Sequence, residues 1–182
     1  MAGYTDEELL KICRNAETAN YGFNLLVRKY QKQVYWLVRR IVIRHEDADD
    51  AVQETFVKVW KNLDKFKSNS KLYTWIYRIA TNEALTLLKS RKRKFLLPIV
   101  DYEKQLAQSL HEDPFFSGDE IQLKLQKALL KLPAKQRLVF NMKYYEEMKY
   151  KDMSEVMGTS VGALKASYHI AVKKIEEFVI HN

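Results

Sequence analysis

Between residues 23 and 41 the apolar side chains Phe23, Leu26, Val27, Tyr30, Val34, Leu37, Val38 and Ile41 recur at spacings of three and four. That spacing puts them on one face of an amphipathic helix. The next segment, HEDADDAVQETFVKVWKNLDKF (residues 45–66), opens with Glu46, Asp47, Asp49 and Asp50, then sets Val52, Phe56, Val59, Trp60 and Leu63 on one side. Acids at the start and an apolar stripe behind them predict a second helix. Small polar residues in KFKSNSK interrupt the pattern, and a third helix is predicted over residues 72–90, with Leu72, Ile76, Ile79, Ala80, Leu87 and Leu88 as core contacts. No stretch of residues 1–94 alternates with period two over a useful length, so strands are not expected and a helical bundle is.

The C-terminal part reads as four shorter helices. Residues 121–132 form the first, and Pro133 suits the opening turn of the next because its missing N–H is not needed there. That second helix turns Leu138, Met142 and Tyr145 inward. Residues 150–157 form a third, Gly158-Thr159-Ser160 a tight connection, and residues 161–178 a long fourth helix with Leu164, Tyr168, Ala171, Ile175 and Phe178 facing the bundle. Gly158 tolerates positive φ, and Ser160 can cap the long fourth helix. Helix, glycine-containing turn, helix is the helix-turn-helix arrangement, although a plain helical hairpin has the same pattern.

Charge divides the chain in the same places. The 182 residues carry a net +8 with a pI near 9.4. Residues 1–94 hold 19 cationic against 11 acidic side chains, residues 95–120 hold 1 against 6, and residues 121–182 hold 11 against 6. The acidic connector contains Pro98, Pro114, Ser117 and Gly118 and shows no sustained period, which reads as a flexible linker. The expectation is an all-α protein of two small helical domains, 1–94 and 121–182, joined by 95–120. The basic excess points to an acidic partner, nucleic acid before membrane. Cys13 is the single cysteine, so an intramolecular disulfide is excluded, and no apolar run approaches the roughly 18 residues of a membrane span. With acids where a secretory signal carries positive charge, the reading is cytoplasmic, with no direct membrane insertion.

Three constellations carry candidate chemistry. Trp75, Arg78, Asn82 and Lys89 share one face of the third predicted helix. An aromatic ring stacks on unpaired bases, Arg contacts phosphate or a guanine edge, and Asn hydrogen-bonds a base edge. The loop at 67–71 is placed to wrap a flipped base. A core role for Trp75 fits the same spacing. On the last helix Val161, Gly162, Ala163, Lys165, Ala166, Ser167 and His169 form a small, polar N-terminal face of the kind that enters a major groove. Lys143, Lys165, Lys173 and Lys174 suit phosphate contact or plain solvation. Asp47, Asp49, Asp50 and Glu54 form a second, acidic face, either solubilising or a docking surface for a protein. No nucleophile, base and orienting group can be assembled, so no enzyme and no cofactor are expected. His169 lacks a companion at ligand spacing, so no metal is expected either.

DADDAVQETFVKVWKNLDKF, KLYTWIYRIATNEALTLLKSRKRK and the region from Leu132 to Ile175 resemble, in order, spacing and charge, regions 2.2, 2.3–2.4 and 4 of the extracytoplasmic-function sigma factors. The resemblance implies a subunit that directs core RNA polymerase to promoter DNA. It implies that Asp49, Asp50, Gln53, Glu54 and Phe56 bind the clamp helices of the largest polymerase subunit, with the flap as a further contact. It implies −10 DNA contacts for Phe66, Lys67, Ser68, Asn69, Ser70, Lys71 and Tyr73, with Trp75, Arg78, Asn82 and Lys89 on the adjoining helix. It assigns Lys143, Ser160, Val161, Gly162, Ala163, Lys165, Ala166 and His169 to the −35 duplex. An anti-sigma factor, commonly membrane-bound, holds many members inactive. Departures from the family are Ser167 and Ile170, which stand at two frequent arginine positions, and Lys149, which stands at a frequent Ser cap. The alternative is a helix-turn-helix regulator that acts without docking on core polymerase.

Overall fold

A computed structural model describes residues 4–67, 70–94 and 120–181, with residues 92–94 described by backbone alone. The first helix, α1 (Asp6–Arg14), starts in a capping box: the Thr5 hydroxyl accepts from the Glu8 N–H at 3.2 Å, and the Thr5 N–H donates to the Glu8 carboxylate at 2.7 Å. Acids fill its first turn and Lys11 and Arg14 its last, matching the helix dipole at both ends. It buries Leu9, Leu10 and Cys13 against α2 (Ala19–Val42). The two helices approach so closely at Gly22 that a Cβ there would stand 2.8 Å from the Cys13 nitrogen.

Along α2 the predicted stripe is buried at Leu26, Tyr30, Val34, Leu37, Val38 and Ile41, while Phe23 and Val27 lie at its edge. Each fully buried aliphatic side chain contributes about 1.5–3 kcal/mol, so this stripe fixes α2 as the central element. Its end is a tight reversal. Ile43, buried, has φ 70° and ψ −47°, and the Arg44 N–H closes a three-residue turn on the Val42 carbonyl at 2.9 Å. A β-branched residue at positive φ is strained, and its burial offsets the strain. Beyond it, α3 (His45–Asn62) packs small residues, Ala48, Ala51 and Thr55, on its neighbours, and a single 3-10 turn (Leu63–Lys65) precedes α4 (Leu72–Lys94).

Four helices make up the rest: α5 (Glu120–Leu130), α6 (Ala134–Tyr144), α7 (Tyr150–Met157) and α8 (Val161–His181). A small cluster of Ala128, Leu129, Leu132, Phe140, Ala171 and Ile175 holds α5, α6 and α8 together. The main core, however, runs across both halves: Leu138, Val139, Met142, Met153, Val156 and Leu164 belong to the same buried cluster as Val34, Leu37 and Ile76. The two helical units are thus packed on each other, α6 against α2 and α7 against α4.

Several expectations need correcting. Trp60, expected in the core stripe of α3, is 42% exposed because its side chain lines the open groove beside Phe23 of α2 and not the closed core that takes Val59. Pro133 caps α6 from just outside rather than opening its first turn. Helix α4 extends to Lys94, past the predicted end at 90, and α1 was not anticipated. The linker lies outside the described residues except Glu120, which already belongs to α5.

Replacing Gly22 by Ala is expected to cost about 1–3 kcal/mol, because the neighbour in the way is backbone and cannot yield. Thermal unfolding of the variant beside the parent checks this, and an unchanged melting temperature would mean that α1 shifts freely.

Candidate docking and nucleic-acid interfaces

The outer side of α3 presents Asp49, Asp50, Gln53 and Glu54 to solvent. Asp49 pairs with His45 at 3.3 Å, and the other ring nitrogen of His45 meets the Tyr35 hydroxyl at 2.7 Å. Phe56 is largely buried and forms the floor of an apolar groove between α2 and α3, walled by Phe23, Val27, Val52, Val57 and Trp60. The Phe23 and Trp60 rings meet edge-on, centroids 4.8 Å apart. The arrangement is an acidic rim along an open apolar trough. Asp47 does not belong to that rim, contrary to expectation. It is 2% exposed and paired at 2.5 Å with Arg91, tying the start of α3 to the end of α4.

On α4 the predicted face divides. Phe66 is buried, its ring 5.1 Å from Trp75 and its carbonyl accepting from Arg14 at 2.8 Å. Its side chain is packed into the core, where the expectation had it turned towards DNA. Trp75 is half-buried behind it, while Lys67, Arg78, Asn82 and Lys89 are exposed and Ser70 is half-buried. Ser68 and Asn69 lie outside the described residues.

Part of this face is occupied by the C-terminal unit, which the sequence did not reveal. Asp152 on α7, 6% exposed, accepts from Lys71 at 3.2 Å and from the Tyr73 hydroxyl in a short bond. The Arg78 guanidinium donates to the Glu155 carbonyl from both Nε, at 2.8 Å, and a terminal nitrogen. Nearby, Glu146 accepts from Arg40 at 2.6 Å and from the Tyr77 hydroxyl at 3.2 Å, and the Arg40 guanidinium lies 4.3 Å from the centre of the Tyr145 ring. Side chains of α6 reach the end of α2, Asn141 donating to the Arg40 carbonyl at 3.2 Å and Arg137 to the Ile41 carbonyl at 3.5 Å.

The two seam carboxylates are tuned in opposite directions. Burial pushes the Asp152 carboxyl up, but the bonds from Tyr73 and Lys71 outweigh it and hold it below its ordinary value. For Glu146 burial dominates and raises the carboxyl despite Arg40 and Tyr77. By linkage, the Asp152 contribution is present at neutral pH and lost as pH falls through its lowered value. The Glu146 contribution is strongest when that group is protonated and fades as pH rises through its raised value.

The helix-turn-helix is built as expected. Gly158 has φ 62° and its N–H bonds the Ser154 carbonyl at 2.9 Å, and the Ser160 hydroxyl accepts from the Ala163 N–H at 3.3 Å. Lys149 caps α7 without a side-chain hydrogen bond, as its departure from a Ser cap implied. Val161, Gly162, Ala163, Lys165, Ala166 and His169 all face solvent, and no atom stands within 4 Å of a Cβ built on Gly162. Lys143, half-buried, bonds the Met148 carbonyl at 3.4 Å. Among the described residues no group of three potential metal ligands occurs, and no helix is long and apolar enough to cross a membrane.

Two helical units with an acid-rimmed apolar trough, a cationic helix face and an open helix-turn-helix match known proteins in both halves. Residues 26–94 match the family Sigma-70 region 2, and residues 122–175 match Sigma-70, region 4. The extracytoplasmic-function (ECF) RNA polymerase sigma factor SigW of Bacillus subtilis is 29% identical over 156 residues, 81% of this chain and 83% of its own. The RNA polymerase sigma-H factor of Pseudomonas aeruginosa is 30% identical over 86% of this chain and 85% of its own. Among solved structures, the sigma factor RpoE in complex with the anti-sigma factor NepR from Bartonella quintana aligns with a TM-score of 0.66 at 22% identity, over 86% of this chain and 96% of that one. The chain belongs to the sigma-70 family, in its extracytoplasmic-function group. It binds core RNA polymerase and directs promoter-specific initiation of transcription.

Asp152→Ala is expected to weaken the seam by about 1.5–3 kcal/mol, the worth of hydrogen bonds to a charged acceptor. Small-angle scattering of the free chain should then show a larger radius of gyration at unchanged helix content. An unchanged radius would mean that α6 alone holds the units together.

Proposed function

We propose that the two halves divide the labour of initiation. In this reading residues 1–94 dock on the clamp helices of the largest polymerase subunit and capture unpaired −10 DNA. Residues 121–182 hold the −35 duplex and meet the flap, and residues 95–120 run between them. The observation that carries it is the separation of surfaces: an acidic rim beside an apolar trough on α3, and cationic and amide groups on α4 turned another way. A basic protein that must bind both a protein and DNA needs those surfaces apart.

Asp49, Asp50, Gln53 and Glu54 form the docking rim, and Phe56 with Trp60 supplies the apolar contact. Asn82 reads a base edge beside Arg78, and Lys71 and Tyr73 join them once the C-terminal unit moves away. Docking on core polymerase therefore goes with separation of α7 from α4. No residue has a catalytic role in this reading. The protein works in the cytoplasm, and an anti-sigma factor like the partner of the Bartonella relative is a fitting regulator, because the trough accepts an apolar helix face.

Two substitutions separate the surfaces. Asn82→Ala is expected to lower promoter-dependent initiation roughly tenfold or more while leaving core binding intact, in line with the worth of one base-edge contact. Glu54→Lys should weaken core binding about tenfold with little effect on promoter choice by the holoenzyme that does form. Titration against sigma-free core polymerase and run-off transcription read the two. If both variants lost only core binding, the division of surfaces would be wrong. Specific duplex binding by the free chain, without core association, would favour a regulator that acts alone.

A further inference from the structure

Tyr150, the first residue of α7, carries two ammonium groups on one ring. The Lys143 Nζ, from the end of α6, lies 5.3 Å from the ring centre, and the Lys165 Nζ, from the first turns of α8, lies 5.8 Å from it. Both distances fall within the range in which a cation is attracted to an aromatic face. Neither lysine has an acidic partner among the described residues, and besides the ring Lys143 bonds the Met148 carbonyl. The ring itself is half-buried and packed against the main core, so it is a fixed point to which two flexible side chains from two other helices converge. Like charges repel, and two ammonium groups gathered at one place without a carboxylate are a site waiting for an anion. They flank the exposed small-residue face of α8, where a duplex backbone would pass.

We propose that Tyr150 is a positioning residue that gathers Lys143 and Lys165 into a phosphate grip on the backbone of the −35 duplex. This rests on the assignment of the C-terminal unit to duplex DNA. The ring touches no DNA in this arrangement. It lowers the conformational freedom that the two lysines would otherwise lose on binding, and its flat face, not its hydroxyl, does so.

The test uses the holoenzyme reconstituted with core polymerase and a promoter whose affinity depends on the −35 element. Binding is measured across a salt series, with thermal unfolding of each free variant as a check on folding. Each phosphate contact contributes about 0.9 to the slope of log affinity against log salt. The double variant Lys143→Gln with Lys165→Gln should lower that slope by close to two contacts. Tyr150→Leu should weaken binding about three- to tenfold and lower the slope, Tyr150→Phe should behave as the parent, and Tyr150→Leu should add nothing in the double-lysine background. If the lysine variant left the slope unchanged, this face would not be the duplex-binding one and the underlying assignment would fall. If the lysines lowered the slope and Tyr150→Leu did not, or if its effect added fully to theirs, the positioning role alone would be overturned.

Discussion

A helix that ends inside a protein must find donors for its last carbonyl groups, and α2 ends with Val42 and Ile43 buried. Its own chain supplies the Ile43 N–H to the Arg39 carbonyl and the Arg44 N–H to the Val42 carbonyl, and then turns away. The Arg40 and Ile41 carbonyls receive Asn141 and Arg137 from the other half of the molecule. The rest of the arrangement depends on that borrowing. With α6 fixed across the end of α2, α7 is carried onto α4, and Asp152 and the Glu155 carbonyl fall on Lys71, Tyr73 and Arg78. Two units that match separate regions of the sigma-70 family thus share one apolar core, with polar contacts around it.

The surfaces left open have a common logic. The trough on α3 is apolar at its floor and acidic at its rim, while the exposed Arg78 and Lys89 are on α4 and Lys165 on α8. Glu46 and Asp47 in the first turn of α3 suit the helix dipole, and Asp49, Asp50 and Glu54 beyond them form the exposed rim. Asp47 stands apart from the rest of the cluster, turning inward to hold Arg91 while Asp49, Asp50 and Glu54 stay exposed.

Much of the fold was legible because helix periodicity is a local property. The stripe on α2, the core contacts of α4 and the turn at Gly158 each arise from residues within a few positions of one another. Helix α1 was legible too, since Thr5 and Glu8 stand at capping-box spacing, but the acids around them were read for what they say about targeting. The exposure of Trp60 and the burial of Asp47 and Phe66 depend on what lies across from each residue, and spacing carries no information about that. The seam was beyond reach for the same reason at greater range: Asp152 and Lys71 are 81 positions apart. Asn82 and Glu54 stayed where the pattern put them, because nothing packs over either.

The seam also sets how much of the protein is available at any moment. A ligand that needs Lys71, Tyr73 and Arg78 together binds only the open fraction, so its apparent dissociation constant is the intrinsic one divided by that fraction. A closed form favoured by about 3 kcal/mol leaves less than about 1% of free chains open, which weakens such binding by more than about 100-fold. For a chain with a net charge of +8, that reserve works against adsorption on every stretch of DNA it meets. In the proposed division of labour, docking on core polymerase parts the units and so restores that affinity where DNA is to be bound.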